Sequence, residues 1–287
     1  MTSAPPADRR PFDWRNLSLR LLSAAVLIPL TLSAVWLGGT LLLVVLSVVV
    51  AVLSLEWGRM AAPPAPTRAG TAVLVGVLAA LFTGYFGHPH IAWLSLVGAA
   101  VIVAGLARVF SLTRRPADTA FGVLYLGAPA VALWWLRLPD VQHGEDGGRI
   151  WVLLMLFIAW AADSAAFLIG SAFGGPKLWP RFSPNKTWSG FWGGMAAGVA
   201  AAMATGVVFR HMGAPGPWLS AGVGLVGALA TMGGDLLESM LKRRFGVKDS
   251  GDLIPGHGGL LDRVDGLLFA ALAVAGARLL AKAGWSA

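Results

Sequence analysis

The sequence predicts an all-α, polytopic integral membrane protein with about nine transmembrane helices, the N-terminus cytoplasmic and the C-terminus external. Three observations lead there. Of the 287 residues 56% are apolar, and mean hydropathy is +0.71. Only 13% are charged, against about a quarter in soluble domains. Apolar runs near twenty residues, the length a helix needs to cross the hydrocarbon core, recur along the whole chain. There is no cysteine, which excludes a disulfide framework and a thiolate metal site. The net charge of +8 is read as orientation and attraction to anionic headgroups rather than as a nucleic-acid footprint.

The apolar runs lie at roughly 19–37, 40–56, 70–87, 91–109, 120–138, 150–170, 189–209, 218–237 and 266–283, spans one to nine. The first follows a basic segment and is read as an uncleaved anchor, because eight further spans follow it. Gly and Pro punctuate the connections: Leu37-Gly38-Gly39, Pro63-Pro64-Ala65-Pro66, Gly87-His88-Pro89-His90 and Gly213 to Pro217. The predicted organisation is a polar N-terminal tail over 1–18, N-terminal transmembrane helices over 19–149, and a catalytic transmembrane region over 150–287 with polar loops at 171–188 and 238–265. Gly190, Gly194 and Gly198 recur every four residues in span seven, a spacing that lets helices approach closely. Trp57, Trp151, Trp188 and Trp218 fall near span ends and are expected in the interfacial belts.

Charge sets the orientation. With the N-terminus inside, 17 Lys and Arg fall on the cytoplasmic side and 5 outside: Arg137, Arg149, Arg210, Arg278 and Lys282. This asymmetry satisfies the positive-inside rule. It places both polar loops on the cytoplasmic face of the cell inner membrane, where one site could draw on both.

The chemistry-bearing residues gather there. Asp235, Glu238, Ser239 and Lys242 stand at i, i+3, i+4 and i+7 on one helix face. Lys242, Arg243 and Arg244 suit a helix C-terminus and Gly246 its cap. Carboxylates at that end of a membrane helix need a partner or a metal, and Glu238 could simply pair with Lys242. Asp262 and Asp265 are i, i+3 at the start of span nine. They either complement the helix dipole or share a cation, and a hard cation such as Mg²⁺ prefers oxygen ligands. Gly256, Gly258 and Gly259 permit close backbone approach to a phosphate. His257 has no partner at metal-ligand spacing and reads as a phosphate contact or turn former. Asp163 lies inside an apolar span, about five residues from its cytoplasmic end, and an intramembrane acid is functional by default.

The run from Ser239 to Asp265 resembles the signature of the phosphatidate cytidylyltransferase (CDP-diacylglycerol synthase) family: Ser239, Lys242-Arg243, Lys248-Asp249, Pro255 to Gly259, and Asp262-Arg263-Val264-Asp265. A second block is similar too, Asp163 followed by Ser183-Pro184-Asn185-Lys186-Thr187. One departure is Ala165, where family members often carry Gly. The resemblance covers about the C-terminal half. It implies transfer of a cytidylyl group from CTP to phosphatidate, with Mg²⁺ as one or two ions and a monovalent cation as a further option. It assigns Asp235, Asp262 and Asp265 to metal. Lys242, Arg243, Lys248, Lys186 and Arg263 go to phosphates, with Asp249 and His257 counted in the catalytic set. Asp163, Ser183, Asn185, Thr187, Glu238, Ser239, Gly258 and Gly259 are assigned to substrate. CTP, phosphatidate and membrane lipids are the expected partners; a homodimer is left open.

Two enzyme or transport alternatives are weighed against this reading: a CTP-dependent cytidylyltransferase or kinase acting on an isoprenoid lipid, and a secondary transporter. The transporter would want broken helices in two repeats and midplane charge, whereas the charge here clusters at one face. Two motif matches fail on context. Gly222, Gly224 and Gly227 fit GxGxxG inside an apolar span with no preceding strand. Asn185-Lys186-Thr187 is a sequon in a cytoplasmic loop. No Walker A sequence is present.

Overall fold

The computed structural model describes residues 14–140, 143–251 and 258–282. Among them the chain forms nine α-helices: α1 (Trp14–Leu37), α2 (Gly39–Ala61), α3 (Pro66–Tyr85), α4 (Pro89–Val109), α5 (Pro116–Arg137), α6 (Gly144–Phe173), α7 (Trp188–Val208), α8 (Pro217–Arg244) and α9 (Leu261–Leu280). Each coincides with one apolar run. Pro66, Pro89, Pro116 and Pro217 open their helices, where the missing N–H has no intrahelical partner to lose. Seven helices, α2 to α8, are long and apolar enough to cross a membrane. Asp262, Arg263, Asp265 and Arg278 interrupt the apolar length of α9. The chain is thus an all-α polytopic membrane protein in its helical frame.

Two features depart from the sequence reading. Between α6 and α7 the expected loop holds a short antiparallel hairpin, β1 (Lys177–Trp179) and β2 (Ser183–Thr187), pairing Lys177 with Thr187 and Trp179 with Ser183. The helices around the polar loops are also longer. α6 runs past Gly170 to Phe173 and stops at Gly174, whose φ is 60°. α8 carries its charges inside the helix and stops at Gly246, φ 75°, where the Val247 N–H reaches the Lys242 carbonyl at 2.9 Å. Gly246 is therefore the left-handed cap the sequence predicts.

Two apolar cores form, one centred on α2–α5 and one on α6–α9. α5 joins both through Val123 and Leu136, and α9 through Leu261 and Val274. The glycine stripe of α7 performs the packing expected of it. A Cβ on Gly190 would sit 2.6 Å from the Ala166 carbonyl oxygen of α6, and one on Gly194 2.7 Å from that of Ala162. Trp57 and Trp151 are core residues, 0% and 6% exposed, not belt residues. The Trp57 indole lies against Gly122 and donates to the Asp118 carbonyl at 3.0 Å. Trp188 and Trp218 are exposed.

Four of the five cations on the sparse face serve this architecture. Arg137 donates to the Val35 and Trp36 carbonyls, and Arg149 to Trp36. Arg278, 1% exposed, donates to the carbonyls of Trp135, Leu136 and Leu138. Val35, Trp36, Trp135 and Leu136 lie in the last turns of α1 and α5, where carbonyls run short of intrahelical donors, and Leu138 follows the end of α5. Lys282 adds charge beside Asp140.

Candidate active site

The opposite end of the bundle carries the chemistry. A cavity of about 640 Å³ opens between α6, the hairpin, α8 and α9, and its polar wall includes Asp163, Lys177, Asn185, Lys186, Asp235, Asp262, Arg263 and Asp265. Both sequence blocks therefore meet in one space, as the loop assignment required. A larger groove of about 760 Å³ between α3 and α4 has almost wholly apolar walls and lies apart from these groups.

The hairpin delivers Lys186. Its Nζ donates to Asp235 Oδ2 at 2.7 Å, across 49 residues of sequence. α8 reaches α9 closely at this level. A Cβ on Gly234 would sit 2.7 Å from the Asp265 carbonyl oxygen, and one on Gly266 2.8 Å from Asp235 Oδ1. Glycine at both positions lets the two backbones carry Asp235 and Asp265 side by side. Asp163 faces the cavity from α6. It stands ten residues before the helix end at Phe173, about 15 Å of helix at 1.5 Å per residue, and so deeper than the shorter predicted span implied.

Lys242 ties the second half of the cluster. Its ammonium group bonds Glu238 Oε2 at 3.0 Å and Asp262 Oδ1. The pairing of Glu238 with Lys242 that the sequence left open is thus present. The other oxygen, Glu238 Oε1, is buried without a donor among the described residues, and the Glu238 and Asp265 carboxyl groups adjoin. Two adjoining carboxyls cannot both carry charge cheaply, so a shared proton or a cation relieves them.

Asp262 differs from its neighbours. While Oδ1 takes Lys242, Oδ2 accepts from Ser250 N at 3.0 Å, Ser250 Oγ at 2.9 Å and Gly259 N at 3.2 Å. Both oxygens are engaged with donors. Asp235, Asp262 and Asp265, the expected metal set, all line the cavity, with Asp262 already held by Lys242, Ser250 and Gly259. Gly259 is needed there because a Cβ would sit 1.8 Å from Ser250 Oγ, and its N–H is given to Asp262 rather than to a ligand. Gly258 has φ 80°.

Thr187 also lines the cavity; it is buried and caps α7, its hydroxyl accepting from Gly190 N at 3.2 Å. Ser183 and Ser239 are half-buried, and Arg243, Lys248 and Asp249 are exposed; none of these five lines the cavity among the described residues. His257 and Gly256 lie outside the described residues.

Three residues escaped the sequence reading. Glu56 of α2, 1% exposed, accepts from the Leu260 and Leu261 N–H groups at 2.8 Å each. Asp118 of α5 pairs with Arg244 at the end of α8. The Tyr125 hydroxyl is buried without a partner among the described residues, close enough to Glu238, Asp265 and Asp235 to sense their charge. Glu56 had a usable signal: it is an acid in an apolar span, as Asp163 is.

A family model described as the cytidylyltransferase family matches residues 18–279. The chain belongs to the cytidylyltransferase family. It is similar to proteins called phosphatidate cytidylyltransferase in several bacteria. The one from Brucella suis biovar 1 (strain 1330) is 38% identical over 271 residues, 89% of this chain and 91% of that protein. The one from Staphylococcus aureus (strain COL) is 42% identical over 122 residues, 42% of this chain and 46% of that protein. That from Mycobacterium bovis is 38% identical over 128 residues, 45% of this chain and 41% of that protein. The family match spans all nine helices, so the α1–α5 half, which the sequence showed only as apolar helices, belongs to the family as much as the site-bearing half.

Proposed function

We propose that this chain is a phosphatidate cytidylyltransferase, which transfers the cytidylyl group of CTP to phosphatidate and forms CDP-diacylglycerol and pyrophosphate. Family membership and the names of its relatives support this reading. The observation that carries it is the meeting of Lys186 from the hairpin with Asp235 and Asp265 of the paired helices, at one end of a membrane bundle. That position suits an amphiphile whose headgroup enters the cavity while its acyl chains stay in the bilayer.

A phosphate oxygen of phosphatidate attacks the α-phosphorus of CTP. The bond from that phosphorus to the α,β-bridging oxygen breaks, and pyrophosphate leaves with the electron pair. The second pKa of a phosphate monoester is about 6, so the nucleophile is largely dianionic at neutral pH and needs no general base. The barrier is electrostatic, since two polyanions must meet. Lys177, Lys186 and Arg263 on the cavity wall offset that repulsion and the charge on departing pyrophosphate. Lys242 holds Glu238 and Asp262 in place, and Arg243 and Lys248 add positive potential at the rim. Asn185 presents an amide to headgroup or nucleotide.

The donors also fit a hard cation, since Asp235 and Asp265 offer only oxygen from facing helices on the cavity wall. Asp235 and Asp265 would hold Mg²⁺, with Asp262 serving to fix Lys242 and the loop. When bound, the ion supplies charge neutralisation for the triphosphate. The same reading places nine spans in the inner membrane, with the site on the cytoplasmic face, the N-terminus inside and the C-terminus outside.

Purified protein supplied with CTP and phosphatidate tests the proposal. CDP-diacylglycerol and pyrophosphate should form in equal amounts. Turnover with a polyprenyl phosphate or alcohol in place of phosphatidate, and none with phosphatidate, would move the assignment to an isoprenoid lipid.

A further inference from the structure

Glu56 is the only acid between Asp13 and Asp118, and it sits buried near the end of α2. Its partners come from one short stretch far along the chain. Oε1 accepts the Leu260 N–H and Oε2 the Leu261 N–H, both at 2.8 Å, and Ser250 Oγ stands 3.4 Å from Oε2. Leu260 and Leu261 are where α9 begins. The first N–H groups of a helix have no intrahelical acceptor, and the positive end of the helix dipole favours an anion. Both oxygens of the carboxylate thus grip the start of α9.

We infer that Glu56 is a positioning residue for catalysis: from α2 it sets the height and rotation at which α9 presents Asp262 and Asp265 to Lys242 and the cavity. This rests on the cytidylyl-transfer reading above. The grip continues on the other side of the segment. Ser250 lies between Glu56 and Asp262, and Asp262 in turn holds Ser250, Gly259 and Lys242. A Cβ on Gly251 would come 3.1 Å from Glu56 Oε1, so the Gly251 backbone lies close against the carboxylate. Plain apolar contact would pack α2 against α9 without the desolvation cost that burying an ion demands. A two-oxygen acceptor instead fixes two adjacent amides, and with them the first turn that carries Asp262. The α1–α5 half is then part of the catalytic apparatus rather than only an anchor.

The test combines kinetics with hydrogen exchange on the full-length protein in detergent. Glu56→Gln keeps the shape but puts an NH₂ opposite one of the two amides. Glu56→Asp keeps the charge but shortens the reach. In wild-type protein the Leu260 and Leu261 amides should exchange slowly. In Glu56→Gln, protection should fall over 258–265 and stay unchanged in α2 and α5. Displacement of reacting groups by about 1 Å commonly lowers the rate by about 10- to 100-fold. That fall is expected in kcat, with KM for CTP and the Mg²⁺ dependence little changed, and Glu56→Asp should be intermediate. Wild-type kcat in Glu56→Gln, or a fall that merely tracks the folded fraction, would overturn the inference. If Glu56→Gln does not fold, Glu56→Asp and the wild-type exchange rates decide, and rapid exchange at Leu260 and Leu261 overturns it. Absence of any cytidylyl transfer by wild-type protein would instead defeat the functional reading, while the exchange data still report on the grip.

Discussion

Replacing Lys186 with Met separates the catalytic from the structural worth of the ion pair at the centre of the site. Lys186 Nζ lies 2.7 Å from Asp235 Oδ2, with the two side chains 30% and 22% exposed. Unit charges about 4 Å apart attract by about 4 kcal/mol at an effective dielectric near 20. Desolvation, side-chain ordering and screening cancel most of that, so pairs of this exposure contribute about 1 kcal/mol or less to folding. A donor aimed at charge that develops in the transition state is worth more, about 10²–10³ in kcat, or roughly 2.7–4 kcal/mol. Lys186→Met should therefore lower kcat/KM for CTP far more than it lowers stability. The assay is initial-rate CDP-diacylglycerol formation in mixed micelles, beside thermal unfolding in the same detergent. A folded variant with near-wild-type kcat/KM would refute the placement of Lys186 on the reacting phosphates. A variant that loses stability and activity in proportion would make the pair structural.

The remaining expectations concern neighbouring parts of the account. Asp265→Asn should abolish turnover and shift any residual activity to higher Mg²⁺, whereas Asp262→Asn should lower turnover with the Mg²⁺ dependence unchanged; a Mg²⁺ titration of both variants checks this. Arg278→Met should destabilise the fold by about 1–3 kcal/mol for each carbonyl left without a donor and leave kcat/KM of the surviving enzyme intact, as measured by unfolding and kinetics. Gly259→Ala, whose Cβ would meet Ser250 Oγ at 1.8 Å, should lower kcat and loosen 258–265 in hydrogen exchange. A reporter fused after Ala287 should be active only outside the cytoplasm, and cytoplasmic activity would mean an even number of spans.

What was legible in the sequence was what local periodicity encodes. Apolar runs of membrane length gave every α-helix, the spacing of Gly190, Gly194 and Gly198 gave a close helix contact without naming its partners in α6 and α8, and Gly246 gave the cap of α8. The two polar blocks were placed at one end by the charge asymmetry, and Lys186 does meet Asp235. What stayed hidden was pairing across long separations. Glu56 and Leu261 lie 205 residues apart, and no spacing rule links a lone acid in one span to the backbone N–H groups of another. The donors to Asp262 were hidden for a related reason: its i, i+3 relation to Asp265 is local, but Ser250, twelve residues earlier, supplies two of the donors to its Oδ2. The hairpin carries too few residues to show an alternating pattern, and Trp57 became core because Gly122 on α5 leaves room for an indole.

The central claim is that this cavity joins the α-phosphate of CTP to a lipid phosphate. The most direct measurement follows radiolabel into lipid from CTP labelled at the α- or the γ-phosphorus, using wild-type protein, phosphatidate and Mg²⁺. Label from the α position should appear in the lipid fraction as CDP-diacylglycerol, and label from the γ position should leave entirely as pyrophosphate. Label entering lipid from the γ position would mean phosphoryl rather than cytidylyl transfer, and no label from either would contradict the account outright.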